Sequence, residues 1–107
     1  MFAHEKETLE RAVKEVREKL SGRIVSIYTF GSRVRGDYEE WSDFDVLVVV
    51  KSKTPKLEAE IVSIFVDEEL RSGIPFSPVI KDIKAFEMER RFKTPFFENI
   101  IKEGVLL

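Results

Sequence analysis

The sequence predicts a single α/β (α+β) domain over residues 1–107, with a small mixed β-sheet of about three strands packed against helices. Three observations predict it. Residues 5–20 and 57–70 carry apolar side chains at three- and four-residue spacing, the period of an amphipathic helix. Residues 24–30, 46–50 and 76–80 are short apolar runs of strand length. The two kinds alternate along the chain, which suits helices covering a sheet.

In the first helix the apolar stripe is Leu9, Ala12, Val13, Val16 and Leu20, and Ser21-Gly22 stops it. His4 lies ahead of it, at a frayed end facing solvent. Ile24 to Phe30 alternates little, which suits a central strand covered on both faces. Gly31 permits a turn that other residues resist, and Ser32 is a good N-cap for a short helix over 33–36. Trp41, in the loop that follows, reads as a lid on the core first and as a stacking surface for a base second. Val46 to Val50 is β-branched and apolar, a buried strand.

Lys51 to Lys56 is a turn, with Pro55 near a helix start. The second long helix shows Leu57, Ile61, Val62, Ile64 and Phe65 on one side, and Ser72-Gly73 ends it. Phe76 to Ile80 is the third strand, where Pro78 argues for an edge position or a bulge. From Ile83 the pattern is helical again, broken near Thr94-Pro95 and ended by Gly104. Its Phe86, Phe92, Phe96, Phe97, Ile100 and Ile101 read as core first, with part left for an interface. Val105 to Leu107 adds a short edge strand or a contact surface.

Composition narrows the function. A chain of 107 residues has room for one core and no second domain of useful size. The net charge of −2, from 18 basic and 20 acidic residues, gives no blanket footprint for nucleic acid. With no cysteine, disulfides and thiolate metal sites are excluded, and the one histidine argues against zinc chemistry. No signal peptide or long apolar span is present, so a cytoplasmic protein without a membrane partner is expected.

The chemistry concentrates between residues 30 and 50. If Asp43 to Asp45 is already extended, Asp43 and Asp45 share one face of the strand, with Cα atoms roughly 6.6 Å apart. Phe44 points the other way, into the core. Two such carboxylates repel each other when empty and attract a hard divalent cation, of which Mg²⁺ is the commonest beside phosphates. The plainer reading is an Asx-rich turn in which Ser42 and Asp43 satisfy backbone groups. Gly31 lets a ligand approach closely, and free N–H groups at a helix start bind phosphate. Arg33 and Arg35 either meet phosphates or pair with Asp37, Glu39 or Glu40.

Taken together, Gly31-Ser32, Arg35-Gly36 and Ser42-Asp43-Phe44-Asp45 between two apolar strands resemble the signature of the DNA polymerase β-like nucleotidyltransferase superfamily. The short chain is similar to its minimal nucleotidyltransferase branch. The resemblance implies transfer of a nucleoside monophosphate, AMP from ATP, to an acceptor hydroxyl with release of pyrophosphate. It implies nucleotide binding by Gly31, Ser32, Arg35, Gly36 and Ser42. It makes Asp43 and Asp45 the catalytic metal ligands, for Mg²⁺ and up to two ions.

The family usually adds a third carboxylate on the next strand. The expected position is Ser77, which is not acidic; Asp82, five residues on, reaches the site only if the strand shifts register or bulges. The resemblance also implies a partner, because a chain this short carries no acceptor-binding domain. Minimal nucleotidyltransferases pair with helical HEPN-type proteins as antitoxins of toxin–antitoxin systems, and a homo-oligomer would also supply a second chain. Two classes stay open: an adenylyltransferase acting on its partner, and a nucleotide-binding antitoxin that neutralises its partner by contact.

Overall fold

A computed structural model of the chain, described for residues 3–36 and 42–107, has five helices and one four-stranded sheet. In chain order these are α1 (Ala3–Lys19), β1 (Ile24–Phe30), α2 (Ser32–Arg35), β2 (Phe44–Val50), α3 (Pro55–Ser72), β3 (Phe76–Asp82), α4 (Ile83–Phe92), α5 (Pro95–Glu103) and β4 (Val105–Leu106). The strands lie in the order β3-β2-β1-β4. β2 and β3 run parallel, and the other two pairs are antiparallel, so the sheet is mixed as expected.

The expected strand count of about three is corrected to four. β4 has only two residues and pairs Tyr28 with Leu106 and Thr29 with Val105. A pair of residues has no periodicity to read, so hydrogen bonding to β1 alone makes it a strand. Pro78 sits where a proline is tolerated, on edge strand β3.

Each face of the sheet carries its own helices. On one face Phe44, Val46, Val48 and Val50 of β2 pack with Leu9, Val16, Leu57, Ile61 and Phe65 of α1 and α3. On the other, Leu47 and Val49 pack with Phe86 of α4 and with Phe97 and Ile100 of α5. β2 is therefore buried on both sides, and its run of valines follows from that. The Phe-rich C-terminal segment, read as core first, is only partly core. Phe86, Phe97 and Ile100 are core, whereas Phe92 and Ile101 are exposed.

Phe97 meets Phe86 with ring centroids 5.3 Å apart, edge to face. Phe97→Ala should lower stability by about 3 kcal/mol or more, read by urea unfolding, because a large buried ring is lost from the smaller of the two cores.

Local signals set the helix ends. Thr54 caps α3 by accepting from the Leu57 N–H at 3.1 Å, and Pro55 fills the first helical position. α4 starts at Asp82, whose carboxylate accepts from the Lys84 N–H at 2.8 Å. α5 repeats the Thr-Pro device with Thr94. Glu68 of α3 is fully buried and held by Arg11 of α1 at 2.7 Å and Arg71 at 3.3 Å, so this carboxylate ties α1 to α3. Among the described residues no helix is long and apolar enough to cross a membrane.

Candidate active site

β1 ends at Phe30, and the chain turns at Gly31 with φ 87° and ψ −166°, a region open almost only to glycine. The turn is tight against the next strand. A Cβ built on Gly31 would lie 2.1 Å from Oδ2 of Asp45. The Gly-Ser step and the second aspartate, fourteen residues apart in sequence, are therefore in contact range.

Helix α2 follows at once. Ser32 is its first residue and not its N-cap; that place is taken by Gly31, which offers no side-chain cap. The first N–H groups of any helix lack acceptors within the helix, so the start of α2 offers donors beside Asp45. Gly36 closes α2 in the left-handed conformation with its N–H on the Ser32 carbonyl at 2.9 Å.

On the other side Asp43 immediately precedes β2, and Asp45 is its second residue. Thr29 of β1, fully buried, donates its hydroxyl to the Asp45 carbonyl at 3.1 Å and fixes that strand position. Partial burial first, and then the negative charge of Asp43, push the Asp45 carboxyl above its ordinary value; Arg35 opposes the shift. A carboxylate that is reluctant to ionise beside a second carboxylate gains most from a cation between them. The donor set therefore fits Mg²⁺, which takes one or two carboxylates and completes its shell with phosphate oxygens.

Sheet register places the remaining positions. Asp45 lies beside Phe30 on β1 and beside Ser77 on β3, all on the α4/α5 face. Ser77 thus occupies the ladder position next to the aspartates and presents a hydroxyl there. Asp82 pairs with Val50, five residues further along β3, which is about 16 Å away at strand rise. It caps α4 and also accepts from the Lys53 N–H at 3.1 Å, and both bonds hold its carboxyl below the ordinary range. The strand neither slips nor bulges toward the site, so Asp82 is not brought to Asp43 and Asp45. Among the described residues no cluster of three or more His, Asp or Glu is placed to hold a metal.

Arg35 is exposed and lies 3.3 Å from Glu103 of α5. Arg33 is buried and ion-paired with Glu5 of α1. The acidic partners expected for these arginines, Asp37, Glu39 and Glu40, and the Trp41 lid lie outside the described residues. Thr29 and Glu5 went unrecognised in the sequence. Thr29 is one polar residue in an apolar run, a weak signal of a pinned strand; Glu5 gives none, since it looks like any charge on an amphipathic helix.

The site is a glycine turn packed on one of two nearby carboxylates at the mouth of a mixed sheet. Residues 9–105 match the nucleotidyltransferase domain family, and the chain belongs to that family. It is 32% identical over 100 residues to a protein of Methanocaldococcus jannaschii named as a candidate protein adenylyltransferase, covering 92% of this chain and 94% of the relative. A crystal structure of a candidate nucleotidyltransferase from Sulfolobus solfataricus matches with a TM-score of 0.56 and 27% identity, over 94% of this chain and 76% of that one. The toxin–antitoxin structure MntA–HpeT, with a TM-score of 0.56 and 14% identity over 92% of this chain and 70% of that one, shares the fold. So does a toxin–antitoxin structure with AMP-PNP, with a TM-score of 0.55 and 16% identity over 91% of this chain and 70% of that one.

Proposed function

We propose that this protein is a Mg²⁺-dependent protein adenylyltransferase, moving AMP from ATP to a hydroxyl of a partner protein. The observation that carries the reading is the packing of Gly31 against Asp45, which sets a phosphate-accepting turn directly beside a carboxylate pair. The relative named as a candidate protein adenylyltransferase supports the choice of AMP and of a protein acceptor. The neighbour with AMP-PNP supports an adenine nucleotide, and both toxin–antitoxin neighbours support a role as one member of such a pair; the HEPN-type partner rests on the family resemblance alone.

In this reading residues 1–107 act as one domain, and the acceptor comes from a second chain. Ser32 and the N–H groups at the start of α2 hold the β- and γ-phosphates, with Arg35 and Ser42 at the rim and Gly31 and Gly36 shaping the turn. Asp43 and Asp45 would hold a divalent ion, which would supply charge neutralisation and orientation of the triphosphate. The acceptor hydroxyl loses its proton to water as its oxygen bonds to the α-phosphorus, the bond from that phosphorus to the bridging oxygen breaks, and pyrophosphate departs. Positioning and charge neutralisation do most of the work, as in other phosphoryl transfers.

Ser77 favours a second reading, a nucleotide-binding antitoxin that works by contact. A hydroxyl is a neutral ligand and stays protonated near pH 7, so it does not replace a carboxylate for a second ion. The two are separated by transfer of labelled AMP from ATP to the partner. Transfer by the wild type, retained in Asp82→Asn and lost in Asp45→Asn, is the expected result. No transfer with toxin neutralisation intact would leave the contact antitoxin. Ser77→Asp is a further check. It adds a carboxylate beside Asp45 and should tighten Mn²⁺ binding in calorimetry by about tenfold, while raising transfer if the chemistry already operates.

A further inference from the structure

The guanidinium of Arg33 joins the two halves of the site. Its Nε donates to the carbonyl of Ser42 at 2.5 Å, and its NH1 pairs with the Glu5 carboxylate of α1. Its Cζ lies over the Phe44 ring, 5.1 Å from the centroid. Asp43 is thus bracketed. The peptide that leads into it is held through the Ser42 carbonyl, and the residue that follows it is held through its ring. Arg33 itself stands two residues after Gly31, so the same side chain ties the phosphate turn to the first aspartate.

Both members of the ion pair are more than nine-tenths buried. A surface arginine in this motif could contribute charge to a ligand; this one is committed inward. Its planar fork reaches two acceptors at once, which a lysine ammonium on a flexible stem does not reproduce.

We propose that Arg33 is a positioning residue of the nucleotide site, with Glu5 of α1 as its anchor: together they fix the Ser42–Asp43 peptide relative to the Gly31–Ser32 turn. This rests on the reading of Asp43 and Asp45 as ligands of the nucleotide's metal. The N-terminal part of α1 then belongs to the site's scaffold although it contributes no group to substrate. A purely structural pair would hold α1 to the sheet and nothing more. A positioning pair also sets the separation of turn and carboxylate that Mg²⁺-ATP must span.

The test compares wild type, Arg33→Lys and Glu5→Gln by amide hydrogen exchange without ligand, and by calorimetry with ATP in the presence and absence of Mg²⁺. The expected result is faster exchange at residues 31–34 and 42–44, by about tenfold or more, with the centre of β2 protected as in wild type. Mg²⁺-ATP affinity should fall about 10–100-fold, while metal-free ATP binding changes little. Glu5→Gln should give the smaller effect, because the Ser42 contact survives. Uniform loss of protection across β1 and β2, global unfolding of both variants, or unchanged exchange at 42–44 would each overturn the proposal. If wild type shows no Mg²⁺-dependent gain in ATP binding, the nucleotide reading fails, and the exchange pattern still decides whether Arg33 sets the turn against Asp43.

Discussion

Asp45→Asn is expected to stabilise the ligand-free protein at neutral pH and to lower AMP transfer by about 10³-fold or more. The first effect follows from the direction of the Asp45 shift. Partial burial and the charge of Asp43 raise its folded-state value above the ordinary 3.8. The folded chain therefore binds that proton more tightly than the unfolded chain. The associated stability is fully present below the unfolded value and is lost as pH rises through the folded one. At pH 7 the ionised group is a standing cost, and asparagine removes it with nearly the same shape. The second effect follows from the charge. An amide oxygen is a poor substitute for a carboxylate on Mg²⁺, and Asp43 alone holds the ion weakly. Thermal unfolding from pH 3 to 8, with and without Mg²⁺-ATP, checks both. The variant should melt higher than wild type without ligand at pH 7, and gain less from Mg²⁺-ATP. A variant that melts lower at pH 7 would show that the Asp45 charge is already compensated within the chain.

Much of this site was legible because its parts are close in sequence. The β1 limits Ile24–Phe30 follow from the apolar run and Gly31, and the structure has the same limits. The alternation that pairs Asp45 with Leu47 and Val49 on one face follows from strand geometry. The Ser77 position comes from the family resemblance, which looks for a carboxylate on the next strand, and the β2–β3 register sets Ser77 beside Asp45. What the sequence hid depends on distant contacts. Arg33 and Glu5 stand 28 residues apart, and neither has a local pattern that announces the other. Asp82 shows the same dependence on context, since it is a ligand candidate only if β3 shifts register or bulges, and the register is regular. As an acidic residue near a strand end it resembles a metal ligand, yet an aspartate before a helix is equally a cap, and the Lys53 and Lys84 N–H groups settle it as one. For Val105 to Leu107 the sequence leaves an edge strand and a contact surface open, because a two-residue strand is defined by its neighbour, β1, rather than by its own residues.

Gly31→Ala should cost about 1–3 kcal/mol of stability and remove both Mg²⁺-dependent ATP binding and AMP transfer. Two separate penalties act at this position. With φ 87° and ψ −166° the backbone is in a region that side-chain-bearing residues avoid, and the stability loss comes chiefly from there. The added methyl would also sit 2.1 Å from Asp45 Oδ2, far inside contact distance. A carboxylate at the end of a side chain can rotate away, so the chain should still fold, but the carboxylate then leaves the place where it meets Asp43 and the phosphates. The two penalties separate in a double-mutant cycle with Asp45→Ala, which removes the clash and leaves the backbone strain. The stability losses should be less than additive, because the clash exists only when both groups are present. Urea unfolding of the four proteins measures the coupling, and calorimetry with Mg²⁺-ATP reads the function. Additive losses would mean that Asp45 swings clear without cost, and that the tight approach of Gly31 serves the ligand alone. Full ATP affinity in Gly31→Ala would remove the phosphate turn from the site.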